Sequence, residues 1–195
     1  MLIGPAFTDT GVESRDDLND YEVLHFATHG LTEGVWGCSQ SPPALVTSFG
    51  NAQSDGLLSF SEIAELKLDA NLVVLSACDT VAGVRDEALA RSAGQEEAGA
   101  TLEGLVRAFL AANARAVLAT YWQVSAEKES DEFIRAFYTR ARTGTLGEAM
   151  QVAQQTLIAL PTYSHPFYWA PYFLVGDSSK TALSAANPSA RIAAR

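Results

Sequence analysis

The chain holds three histidines and two cysteines, and four of these five residues fall where side-chain chemistry is plausible. His25 and His29 lie four residues apart in LHFATHG (24–30), Cys38 follows in a polar stretch, and Cys78 closes the apolar run LVVLSAC. Imidazole and thiolate are both zinc ligands, so the four residues together pose a metal-site question. The segment around the histidines has strand character, so H-x-x-x-H does not make one face of a helix here. At about 3.3 Å per residue a strand separates His25 and His29 by about 13 Å. No C-x-x-C pair supplements them, so no metal is expected. His25 then reads as a core histidine bonded to backbone, and His29 as a residue of the turn that follows, with Gly30 beside it.

A different chemistry pairs His29 with Cys78. A thiol is only a few per cent ionised at neutral pH, and a neighbouring imidazole turns it into a competent nucleophile that can later protonate a leaving amine. Gly30 lets the backbone turn sharply and leaves its N–H unobstructed for a developing oxyanion. The Cys78 N–H offers a second donor. Base, nucleophile and two backbone donors are the parts of an acyl-transfer site. The plainer readings stay open on these residues alone: a buried cysteine at a strand end, and a hydrogen-bonded loop histidine.

The elements that must position these residues are legible from periodicity. YEVLHFA (21–27), NLVVLSA (71–77), AVLATY (116–121) and PYFLVG (171–176) read as strands, and the near-continuous apolar runs mark strands covered on both faces. Ser59 and Glu62 form a capping box opening a helix to about Lys67, and Thr145 and Glu148 another to about Leu160. Leu102, Leu105, Val106, Phe109 and Leu110 recur with helical spacing. Ser125 is the expected N-cap of a helix that carries Phe133, Ile134, Phe137 and Tyr138 on one face and stops near Gly144. Residues 28–57 and 79–97 are expected to be long loops, and 178–195 a disordered tail. Strands alternating with helices predict an α/β fold with a mostly parallel sheet and helices on both faces. In such a sheet the strands' carboxyl ends form the functional edge. His29 and Cys78 both follow strand ends, so parallel strands would bring them to one edge.

Bulk properties narrow the partners. A net charge of −10 with a pI near 4.6 argues against nucleic acid and an anionic membrane surface. The sequence shows no apolar run of transmembrane length and no secretory leader at its start. Two cysteines in unlike contexts make a poor disulfide framework, so a cytoplasmic location with reduced thiols is the expectation.

HFATHG, LVVLSACDT, LEGLVRAFLAANARAVLATYW and HPFYWAPYFLVG occur in an order and register that resemble the CHAT domain, a caspase-like cysteine peptidase module related in fold to caspases and separases. The resemblance runs from about Tyr21 to Gly176. It implies a three-layer caspase-like sandwich, with His29 as general base, Cys78 as nucleophile and the Gly30 and Cys78 N–H groups as the oxyanion hole. The 49 residues between His29 and Cys78 suit a caspase-type site, although the Q-A-C-x-G signature is replaced by S-A-C-D-T. Trp122, Trp169 and Tyr172 match positions read as packing around the sheet edge. The resemblance further implies a cysteine endopeptidase acting on protein or peptide substrates without a cofactor, gated by tetratricopeptide-repeat or other sensor modules. A catalytically silent interaction module is the alternative. Asp79 and Asp55 are the acidic candidates for a substrate pocket, with a turn or helix cap as the competing role of Asp79. The loop VAGVRDEALARSAGQEEAGA (81–100) is expected to shape a substrate cleft or act as a regulatory, self-cleaved segment. Only about 20 residues precede the first strand, where the family usually carries a further strand and helix. Residues 1–20 are therefore expected to be a partial N-terminal segment, and an open sheet edge would favour a homo-oligomer.

Overall fold

The computed structural model describes residues 1–31, 44–50, 53–76, 96–122, 124, 128–183 and 192–193. Its principal sheet contains β1 (Val23–Phe26), β5 (Leu72–Leu75), β6 (Ala116–Thr120), β7 (Tyr172–Gly176) and β8 (Ile192–Ala193), in the order β7-β6-β5-β1-β8. β1, β5 and β6 run parallel, β8 runs parallel to β1, and β7 is antiparallel to β6. Alternate residues of each strand feed opposite layers, as a pleated strand requires. Leu24, Phe26, Val73, Leu75, Val117 and Ala119 enter one apolar cluster. Val23, Leu72, Val74, Ala116 and Leu118 enter the other. The runs expected to be covered on both faces are so covered, and the chain is a three-layer α/β sandwich.

Helices α2 (Phe60–Glu65) and α3 (Glu96–Ala111) cover the first face, where Ile63, Leu105 and Phe109 are fully buried. Helices α4 (Lys128–Ala141) and α5 (Leu146–Ala159) cover the second through Phe133, Phe137, Leu146 and Leu157. Both expected capping boxes are present. Ser59 Oγ accepts from the Glu62 N–H while the Glu62 carboxylate accepts from the Ser59 N–H, and Thr145 and Glu148 reciprocate in the same way. The expected cap at Ser125 lies outside the described residues. A short helix, α6 (Pro166–Trp169), precedes β7.

Two segments are more structured than their composition predicts. Within the expected loop 28–57, β2 (Gly30–Leu31), β3 (Ala44–Val46) and β4 (Leu57–Ser59) form a small antiparallel sheet. Strands of two or three residues show no readable alternation. Their stability comes from the Leu45–Leu58 pair, both side chains fully buried. At the other end of the chain, the carbonyls of Ser178 and Lys180 accept the Gly147 and Leu146 N–H groups at the start of α5. Ala182 is buried, and Ile192–Ala193 pair with Val23 and Leu24. These parts of the segment read as a disordered tail thus satisfy orphan helix donors and a sheet edge.

Residues 1–20 supply α1 (Asp9–Glu13) and two 3-10 turns, Gly4–Ala6 and Leu18–Asp20. Thr8 caps α1 through the Gly11 N–H. Val12 and Leu18 join the core of the first face. The segment is stitched to the β3–β4 connection: the Ser48 N–H donates to Phe7 O at 2.7 Å and the Asp9 N–H to Thr47 Oγ1 at 3.1 Å.

At the far end of β7, Gly176 has φ +108°, and a Cβ there would lie 2.3 Å from Arg115 O and 2.9 Å from Ala116 Cα. Neither backbone atom can move without breaking the β6–β7 pairing. Gly176→Ala is expected to cost about 2–4 kcal/mol in urea unfolding, from left-handed strain plus the clash.

Candidate functional site

The site is built from strand ends. Phe26, the last residue of β1, is in register with Leu75, the last of β5. The pairing extends one step further, because the Ser76 N–H donates to Phe26 O at 2.9 Å. The chain therefore leaves both strands at the same edge of the sheet, towards His29 from one and towards Cys78 from the other. Cys78 and Asp79 lie outside the described residues, as does the expected loop up to residue 95.

After β1 the chain crosses from the large sheet to the small one. The Thr28 hydroxyl donates to Val46 O at 2.5 Å, and the Val46 N–H donates to His29 O at 2.8 Å. Two bonds to one residue of β3 fix the backbone on either side of the His29 amide, and the imidazole belongs to an exposed residue. The turn occupies Ala27–His29. Gly30 was expected to make it, but Gly30 is extended and opens β2. Because His29 O bonds to Val46, Gly30 and Leu45 form a non-hydrogen-bonded antiparallel pair, whose N–H groups point away from the partner strand. β2 is the edge of the small sheet. The Gly30 N–H is therefore left out of the β2–β3 ladder.

His25 occupies a different environment. Its Nε2 lies 2.7 Å from Ser76 Oγ and its Nδ1 lies 3.1 Å from Tyr138 Oη. The expected partner was backbone, and two side-chain hydroxyls take that role instead. The groups within reach of the ring are the hydroxyls of Ser76, one residue past β5, and of Tyr138 on α4. Burial lowers the ring's pKa to about 4 and pushes the Tyr138 phenol up. Both groups are neutral near pH 7. His25 and His29 are thus divided between a partly buried neutral ring and an exposed one. Sequence reasoning placed Tyr138 on the apolar face of its helix and missed its link to His25. The readable signal was a strand histidine pointing into an apolar layer, which requires polar partners there.

Asp55 is exposed and part of a turn: Oδ1 accepts the Leu57 N–H at 2.9 Å while its own N–H donates to Asp9 Oδ2 at 3.0 Å. Trp122, Trp169 and Tyr172 pack at the β6–β7 end. Trp122 Nε1 donates to Phe167 O, Trp169 Nε1 to Ser164 O, and Tyr172 stacks on Phe133 with ring centroids 3.5 Å apart.

A family model for the CHAT domain matches residues 1–177. The chain belongs to the CHAT domain family. The match includes residues 1–20, ahead of the first strand. Among curated relatives, this CHAT domain is similar to tetratricopeptide repeat protein 28 of Homo sapiens, 30% identical over 219 aligned positions, covering 92% of the chain and 8% of the relative. The protein of the same name from Mus musculus is 31% identical with the same coverage. The CHAT domain thus spans a small fraction of the length of these relatives. Among its described residues no helix is long and apolar enough to cross a membrane.

A ring held at about 4 in the fold, against 6.5 when unfolded, makes stability depend on pH with a definite sign. The neutral ring is the form favoured by folding. Its contribution is complete above about pH 6.5 and is lost as pH falls towards 4, to a limit of about 3 kcal/mol. In urea unfolding across that window, wild type should lose stability faster than His25→Gln, so the gap between them closes as pH falls. Parallel curves would show that His25 does not titrate with folding.

Proposed function

We propose that this CHAT domain is a cysteine endopeptidase in which His29 is the general base and Cys78 the nucleophile. The observation that carries the reading is the in-register ending of β1 and β5, with the Ser76 N–H bonded to Phe26 O. The His29 imidazole takes the Cys78 thiol proton, and the thiolate adds to the scissile carbonyl carbon. The resulting oxyanion accepts from the Gly30 and Cys78 N–H groups. For Gly30 the support is its exclusion from the β2–β3 ladder. As the tetrahedral intermediate collapses, the C–N bond breaks and the imidazolium protonates the departing amine. Water, deprotonated by the same imidazole, then hydrolyses the thioester and frees Cys78.

The substrate is a protein or peptide, with Asp79 and Asp55 as acidic candidates for recognising a basic side chain beside the scissile bond. Regulation by a tetratricopeptide or other sensor module is supported by the names of the relatives, in which a CHAT-like segment accompanies a much longer chain.

Incubation with a diverse peptide library, comparing wild type with Cys78→Ala and His29→Ala, tests the dyad. Each substitution should lower kcat/KM by at least about 10³-fold. Cleavage that survives both would remove the dyad. A folded wild type that cleaves nothing, with and without an added tetratricopeptide partner, would favour a silent interaction module.

A further inference from the structure

We propose that His25 is a positioning residue for Cys78: anchored on Tyr138 of α4, its imidazole holds the Ser76 hydroxyl and fixes the end of β5 two residues before the nucleophile. This rests on the dyad reading and adds a residue that the dyad itself does not need.

Ser76 is the last described residue before Cys78, and β1 grips it twice. Its N–H donates to Phe26 O at 2.9 Å, and its hydroxyl lies 2.7 Å from His25 Nε2. The backbone bond continues the β1–β5 ladder and any residue but proline would make it. The side-chain bond depends on a hydroxyl at 76 and a ring at 25. The other ring nitrogen is held by Tyr138 Oη at 3.1 Å, and the Tyr138 ring is tilted against the imidazole with centroids 5.9 Å apart. Tyr138 is in turn packed edge-on to the fully buried Phe137. A neutral imidazole has one N–H and one lone pair, so in either tautomer it donates to one hydroxyl and accepts from the other. The chain Tyr138–His25–Ser76 therefore closes with every ring nitrogen satisfied, and it ties the last turn of a core helix to the strand end that leads to Cys78. A partly buried, fully bonded set of this kind resists displacement as a unit, because loosening one member leaves the next unsatisfied.

The chain also keeps the two histidines of HFATH from sharing a role. A ring pinned between hydroxyls and kept neutral by burial does not compete with His29 for the thiol proton. His25 acts only through where it puts Ser76.

The test reads Cys78 reactivity directly, using the full chain and iodoacetamide at pH 7, with mass spectrometry resolving the Cys78 peptide from the Cys38 peptide. Ser76→Ala and Tyr138→Phe, both confirmed as folded by thermal melts, should each slow Cys78 alkylation about tenfold while leaving Cys38 unchanged, a cost typical of a small misplacement of a reacting group. The double variant should be little slower than either single one, since each breaks the same chain. His25→Gln, which keeps a donor and an acceptor, should stay within about threefold of wild type, whereas His25→Leu should fall with Ser76→Ala even where its melting temperature is unchanged. Folded Ser76→Ala and Tyr138→Phe variants that alkylate at the wild-type rate would overturn the assignment. His29→Ala is the separate control: a Cys78 rate unchanged by it would remove the dyad reading, and the Ser76 and Tyr138 arms would still decide the role of His25.

Discussion

The parallel pairing of β1 with β5 is the constraint on which the candidate site depends. Parallel strands need a crossover that returns the chain to the same starting edge. Here α2 supplies it, packed with α3 on one face of the sheet. Once the two strands run the same way in register, they end at one edge of the sheet, Phe26 beside Leu75 and Ser76. Phe26↔Leu75 and the Ser76-to-Phe26 bond set the alignment to one residue. A one-residue slip would exchange the two core faces, sending Val73 and Leu75 towards α4 and α5, and the buried layers on both sides resist it.

From that edge the chain diverges into two supports of different kinds. His29 is held through its backbone carbonyl, which accepts the Val46 N–H, with the Thr28 hydroxyl beside it donating to Val46 O, and β3 is in turn held by the buried Leu45–Leu58 pair and by the docking of residues 7–9. A backbone bond fixes a position whatever the side chain, and His29 is an exposed residue. The β5 side is held by a side-chain chain reaching from one face of the sheet to α4, which covers that face. Such support is more sensitive to substitution, because it fails when either hydroxyl, or the paired donor and acceptor at position 25, is lost. The N-terminal 20 residues brace the β3–β4 connection and contribute Val12 and Leu18 to the core, while the large sheet gains β8 on the other side of β1.

Sequence reasoning recovered what periodicity and capping encode. Strands β1, β5, β6 and β7, the helices that cover them and both capping boxes follow from spacing that local physics enforces, and the common edge at which β1 and β5 end follows from topology applied to those strands. Three things were illegible for identifiable reasons. The small sheet consists of strands too short to show a period, and its order comes from cross-strand burial that one sequence does not display. The extended state of Gly30 was hidden because a glycine after a histidine at a strand end suits a turn equally well. The partners of His25 lie 51 and 113 residues away, and a contact of that separation has no local signature. What was readable was the problem they solve: an ionisable ring in an apolar layer.

How His25 is satisfied also fixes what its protonation can disturb. Serine and tyrosine hydroxyls both accept as well as donate. An imidazolium, which donates from both nitrogens, would therefore still find Ser76 Oγ and Tyr138 Oη as acceptors once each hydroxyl rotated. Acid does not sever the chain. It imposes the cost of desolvating a charge, which is the cause of the depressed pKa. Removing a hydroxyl leaves that desolvation largely in place and takes away the bond. Stability against pH and the geometry of the strand end thus report on separate properties of one residue: its burial sets the first, and its two hydrogen bonds set the second.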